Sequence, residues 1–158
     1  MQAIKHIFAF FVLLVASQAV FAAPPINTLE REGLFGYEHN GIAIRGYDTV
    51  AYFTQSKPVE DTDQYATEWS GATWKFSSQE NLDLFLADPE KYAPQYGGYC
   101  AYGVAQGNLV KIEPEQWTIL DGKLYLNYNA KLNKAWKKDT SGYINTADKL
   151  FEQLLKDQ

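Results

Sequence analysis

Two stretches of alternating aromatic and polar residues, each interrupted by a two-residue turn ending in glycine, constrain this chain most. Trp117 to Leu120 and Lys123 to Tyr128 flank Asp121-Gly122, a pair favoured where both central residues of a tight hairpin take positive φ. Earlier, Tyr65, Thr67 and Trp69 alternate with polar or small residues, Ser70-Gly71 can turn the chain, and Trp74 and Phe76 resume the alternation. A period of two places one face of each strand in a core. Two antiparallel hairpins with aromatic faces are therefore expected.

Helical signals occupy the intervals between them. Ser77 followed by Glu80 forms a capping-box pattern ahead of Leu82, Phe85 and Leu86, which share a helical face. Asp88-Pro89-Glu90 places a capping acid before a proline, so a short helix carrying Tyr92 should run to Pro94. Two more helices close the chain, one with Leu132 and Trp136, the other with Ile144, Ala147, Phe151, Leu154 and Leu155 on one face. Ile42 to Asp48 reads as a short strand ending in a turn, ahead of the apolar Val50 to Phe53, and residues 54–63 read as a polar loop. No internal repeat is evident. The expectation is one small α+β domain with two antiparallel hairpins and several short helices. The domain proper should span residues 42–145, after a leader at 23–41, with a C-terminal helix at 146–158 packed on it.

Residues 1–22 have the pattern of an export signal, with Lys5, an apolar run from Ile7 to Val15, and small residues ending at Ala22. The run is short for a bilayer and Pro24-Pro25 follows it, so cleavage after Ala22 with no retained membrane anchor is expected. The protein would then be periplasmic or secreted. Its formal net charge of −5 at pH 7 disfavours a nucleic-acid partner, because phosphate binding needs clustered positive charge. Lys131, Lys134, Lys137 and Lys138 read as the solvated face of an amphipathic helix.

The single cysteine, Cys100, lies in Tyr96-Gly97-Gly98-Tyr99-Cys100-Ala101-Tyr102. One cysteine makes no internal disulfide, so the thiol is packed in the core, paired with another molecule, or used. The glycines before it would let Cys100 start a helical turn, with its sulfur near unpaired backbone N–H groups. Beyond the signal, a soft-metal inventory holds Cys100 and His39 and no methionine, so one copy of the chain cannot close a four-ligand thiolate or imidazole zinc site. Copper(I) held by Cys100 and His39, a site helped by Asp48, and a site shared across a dimer all stay open. There is no nucleophile elbow, Cys-x-x-Cys pair, carboxylate pair or phosphate loop, so a non-enzymatic role is favoured over a thiol-dependent enzyme.

The segments Gly46 to Phe53, Gly71 to Ser78, Phe85 to Tyr92, Gly97 to Tyr102 and Trp136 to Tyr143 resemble the YHS-domain family, in its exported branch, over roughly residues 42 to 145. The resemblance implies a small metal-associated module. Metal-linked members carry cysteines in an Asp-Pro-Val-Cys opening and a Phe-Cys-Ser-x-x-Cys stretch, and the matching positions here are Ala51, Ser77 and Asn81. The expected function is an exported, non-enzymatic module binding a metal ion, copper among them, or a small ligand near Cys100. Tyr47, Asp48, Tyr99 and Tyr102 would line the site. The alternative is a structural or protein-interaction domain with Cys100 as buried core, its partner another periplasmic protein.

Overall fold

Residues 22–31 and 37–157 are described by a computed structural model. The expected export signal lies outside them except for Ala22. The segment expected as a leader is an integral part of the domain. Its strands β1 (Leu29–Arg31) and β2 (Tyr37–His39) form a third antiparallel hairpin beside the two expected ones. Just before β1, Asn27 is buried and bridges two distant turns. Its carbonyl accepts from the N–H of Ile44 at 3.0 Å, its N–H donates to the carbonyl of Gly97 at 2.8 Å, and its side-chain Nδ2 donates to that of Gly98 at 2.9 Å.

The first of those turns replaces the strand expected at Ile42 to Asp48. Ala43–Gly46 is a tight turn in which Ile44, Arg45 and Gly46 take φ of 52°, 59° and 77°. A β-branched residue pays for that conformation. Here Ile44 is fully buried and its N–H is bonded to Asn27, so tertiary packing overrides the strand preference. Tyr47 and Asp48 lead into helix α1 (Thr49–Thr54). The hairpin of β3 (Tyr65–Trp69) and β4 (Ala72–Phe76) follows, turning through Ser70 and Gly71 at φ 50° and 78°. Helix α2 (Gln79–Ala87) starts one residue later than the capping-box pattern suggests, because Ser78 rather than Ser77 accepts from the N–H of Asn81. Asp88 then caps the short helix α3 (Pro89–Tyr92).

The same order of elements then recurs. Gln95–Gly98 is a second left-handed turn, with Tyr96, Gly97 and Gly98 at φ 56°, 59° and 81°. Tyr99 and Cys100 lead into α4 (Ala101–Ala105), and β5 (Trp117–Leu120) and β6 (Lys123–Leu126) turn through Asp121 and Gly122 at φ 51° and 72°. Asn129 caps α5 (Ala130–Trp136) as Ser78 caps α2. Asp139 caps α6 (Thr140–Lys156) with φ −151° and ψ 66°, close to the −154° and 77° of Asp88. In both halves the left-handed turn packs against the second strand of its hairpin. The chain thus contains an internal structural repeat, contrary to the sequence reading. Different residues supply the same backbone requirements, Ile44-Arg45-Gly46 in one copy and Tyr96-Gly97-Gly98 in the other, so the identity of side chains conceals it.

The architecture is a small mixed α+β domain of short helices and two-stranded antiparallel sheets. One core cluster gathers Ile44, Tyr52, Trp74, Phe76, Phe85, Leu124, Leu126 and Cys100. The other gathers Tyr99, Val104, Tyr125 and Trp136 against Ala147 of α6. Helix α6 runs unbroken through the boundary expected between residues 145 and 146.

The second left-handed turn should be the least tolerant place in the backbone. A Cβ on Gly97 would lie 1.9 Å from the carbonyl oxygen of Pro25, whereas one on Gly122 meets nothing within 4 Å. Gly97→Ala should therefore cost about 3 kcal/mol or more. Gly122→Ala should cost only about 1 kcal/mol, from its positive φ alone. Urea unfolding of the two variants measures the difference.

Candidate functional site

The most connected polar side chain in the first copy is Asp48, which is fully buried. Its Oδ1 accepts from the N–H groups of Val50 at 3.0 Å and Ala51 at 3.2 Å, capping α1. Its Oδ2 accepts from the Ser77 N–H at 2.9 Å, the Ser77 hydroxyl at 2.6 Å and Asn81 Nδ2 at 2.7 Å. Burying a carboxylate is costly unless donors replace its water. These five donors come from α1, the end of β4 and α2, so one carboxylate ties three elements together. Its own N–H donates to Val59 at 2.9 Å.

Cys100 occupies the same place in the second copy. It follows the left-handed turn and a tyrosine, and its sulfur accepts from Gly103 N–H at 3.3 Å as the N-cap of α4. The N–H of Tyr128, just past β6, donates to the sulfur at 3.2 Å, as Ser77 just past β4 donates to Asp48. Even the backbone bond recurs, from the N–H of Cys100 to Val110 at 3.2 Å. The thiol donates to Asn127 Oδ1 at 3.6 Å. Burial raises the Cys100 pKa, and the backbone N–H groups only partly oppose it. The thiol serves as a helix cap, and among the described residues no cation is one of the groups that shift its pKa.

The other expected site residues divide between the copies. Tyr47 donates its hydroxyl to Glu60 at 3.0 Å, and desolvation reinforced by that carboxylate pushes its pKa up to about 12. Its counterpart Tyr99 is buried, donates to the carbonyl of Pro24 at 3.0 Å, and is pushed up to about 12 by burial. Tyr102 offers its N–H to Asn127 Oδ1 and packs its ring 5.1 Å from that of Tyr143. His39 stays on the exposed second hairpin strand, its Nδ1 2.9 Å from Thr28 Oγ1. Asp48 and Cys100 share no hydrogen-bond partner.

Cys100 instead backs onto a cleft of about 300 Å³ lined by Leu29, Leu109, Val110, Lys111 and Tyr128. Val110 and Tyr128 are the two lining residues whose backbones bond Cys100. The Lys111 ammonium sits over the Tyr128 ring, 5.0 Å from its centroid and so within the ~6 Å reach of a cation–π contact, and it also pairs with Glu113. Arg45 reaches the same Glu113 at 2.8 Å and Glu30 at 2.9 Å, so the lining residue Lys111 is tied into a chain of ion pairs. Sequence reasoning missed Val110, Asn127 and Tyr128. Their only signal is their position relative to Ser77 and Val59 in the other copy. A more polar cleft of about 350 Å³ between the β5–β6 turn and α6 has neither Asp48 nor Cys100 in its lining.

The YHS domain family model matches residues 50–96, from α1 into the second left-handed turn. This chain carries a YHS domain. No curated protein and no solved structure matches the chain. The matched YHS segment covers most of the first copy, and the second lies largely beyond it. Within the YHS domain, the positions to which the resemblance assigns cysteines in metal-linked members, Ala51, Ser77 and Asn81, all donate hydrogen bonds to Asp48. Among the described residues no three His, Cys, Asp or Glu side chains gather closely enough to hold a metal ion. Around Cys100 the surroundings are backbone N–H groups and one amide oxygen, a set that does not fit copper or zinc.

Two outcomes follow from the matched caps. Asp48→Ala removes an acceptor from five donors and should cost about 3–5 kcal/mol, whereas Cys100→Ala should cost about 1–2 kcal/mol, both read by urea unfolding. Cys100 should alkylate only on unfolding, with or without one equivalent of copper(I), as followed by mass spectrometry. Because the native thiol has the higher pKa, the unfolded chain loses its proton first as pH rises. The Cys100 contribution to stability is therefore fully present below about pH 8.5 and is lost as pH rises from there through the raised native pKa. Cys100→Ser should remove that part of the alkaline decline.

Proposed function

We propose that this YHS-domain protein is exported and acts as a non-enzymatic binding module for a small, mainly apolar ligand in the cleft behind Cys100. What carries this is the cleft itself: three aliphatic residues and a tyrosine ring on a wall pinned by backbone hydrogen bonds to the Cys100 sulfur and N–H. Its volume falls at the lower end of those seen for ligand pockets, and Lys111, held by Glu113, supplies a polar group in the lining that can orient a ligand. A neutral, buried thiol belongs to the wall and performs no chemistry.

The complete burial of Cys100 also favours a second reading, a structural or protein-interaction domain in which the cleft has no small-molecule occupant. A nitrogen–proton NMR titration of the mature chain with aromatic and aliphatic fragments separates the two. Ligand binding predicts shifts centred on the amides of Leu109, Val110, Lys111 and Tyr128, reduced at least tenfold in affinity by Leu109→Asp. If no fragment moves those amides, the ligand-binding reading fails. Export predicts that the chain recovered outside the bacterial cytoplasm begins at Ala23, as read by N-terminal mass analysis.

A further inference from the structure

The two copies differ in chemistry where the second strand of each hairpin meets the helix that follows. In the first copy, Phe76 and Leu82 pack there with Phe85. The Phe76 and Phe85 ring centroids are 5.0 Å apart, and Trp74 lies 4.9 Å from Phe85. The matched residues of the second copy are Asn127, Asn133 and Trp136. Tyr125, matched to Trp74, lies 5.0 Å from Trp136, so α5 sits on β6 much as α2 sits on β4. Tyr125 and Asn127 are two residues apart in extended chain and so share a face. Gln116 links the two residues, since its backbone carbonyl accepts from the backbone N–H of Asn127 at 2.8 Å and its Oε1 from Asn133 Nδ2 at 3.4 Å.

Each of the three matched residues has one buried side-chain atom with no hydrogen-bond partner among the described residues: Asn127 Nδ2, Asn133 Oδ1 and Trp136 Nε1. Asn127 and Trp136 are fully buried, and Asn133 is 7% exposed. Turning the Asn127 amide over would not help, because its Oδ1 already accepts from the Tyr102 N–H at 3.1 Å and the Cys100 thiol. Among the described residues of the first copy the comparable atom is Thr49 Oγ1. Buried donors and acceptors are almost always paired. Two donors and one acceptor are the complement of a hydroxyl group, which accepts through its lone pairs and donates its hydrogen. With no counter-charge among the three, the complement is neutral.

We propose that the second copy holds a buried site, walled by Asn127, Asn133 and Trp136 and adjoining Cys100, that binds one small neutral hydroxylic molecule. Its occupant is water or a ligand hydroxyl of similar size. A buried water typically makes about three hydrogen bonds, matching the three open positions. This site is independent of the surface cleft and stands whether or not that cleft binds anything. The neighbouring thiol is held by the other end of the same Asn127 amide, so occupancy and the Cys100 cap are mechanically linked.

The test is a water-selective NOE and ROE measurement on the indole N–H of Trp136, assigned by its loss in Trp136→Phe, with the Trp74 indole, bonded to the Trp69 carbonyl at 3.0 Å, as the internal reference. A long-lived cross-peak at the water frequency identifies water. A cross-peak at another frequency, with a small molecule released on unfolding and seen by mass spectrometry, identifies a hydroxyl ligand. Either should vanish in Asn133→Leu, which imports the residue type of Leu82, and Asn127→Leu serves if that variant does not fold. An indole N–H with neither cross-peak in the unmodified protein overturns the proposal.

Discussion

A buried carboxylate with its whole acceptor capacity spoken for organises the first half of this protein. Asp48 can be buried only because α1, the end of β4 and α2 converge on it with five donors. Displacing any of these elements would leave a charged group short of partners in the interior. The left-handed turn before it is the backbone route that delivers Asp48 to that point. Its strain is held by burial of Ile44 and by the hydrogen bond to Asn27.

Cys100 shows what the same architecture does with a weaker acceptor. The sulfur receives two of the equivalent N–H donors at longer distances than the oxygens of Asp48, and needs no compensation for charge because burial keeps it protonated. The second copy can therefore accept polar side chains where the first has Phe76 and Leu82. Asn27 joins the two turns directly, so the copies form one cooperative body and the N-terminal segment acts as its staple. The cleft and the buried polar site both lie in the second copy, while the YHS match lies mainly in the first. Scaffold and candidate binding chemistry are thus separated along the chain.

Much of the local structure was legible because it depends on short-range chemistry. The Asp121-Gly122 turn, the aromatic alternation around Ser70-Gly71, the Asp88-Pro89 helix start and the apolar face of α6 each need only neighbouring residues to be read. The expectation that Cys100 would open a helical turn also held, from the glycines preceding it. Ile42 to Asp48 misled because Ile44 and Arg45 carry positive φ that no local preference favours. The candidate site draws on both copies: Tyr47 and Asp48 are matched to Tyr99 and Cys100, a relation that no local pattern in the sequence reveals.

By itself, the sequence determined the class of the fold, the places of two hairpins and most helix starts, and the resemblance to the YHS-domain family, since these follow from periodicity, turn chemistry and local motif. Only the tertiary structure decided that the fold repeats, that Asp48 and Cys100 are equivalent caps, and that Asn127, Asn133 and Trp136 are buried with polar atoms left without a partner among the described residues. The reason is physical. Hydrogen-bond equivalence depends on donors and acceptors brought together from distant segments, and a carboxylate and a thiol can fill one structural role without any likeness in sequence.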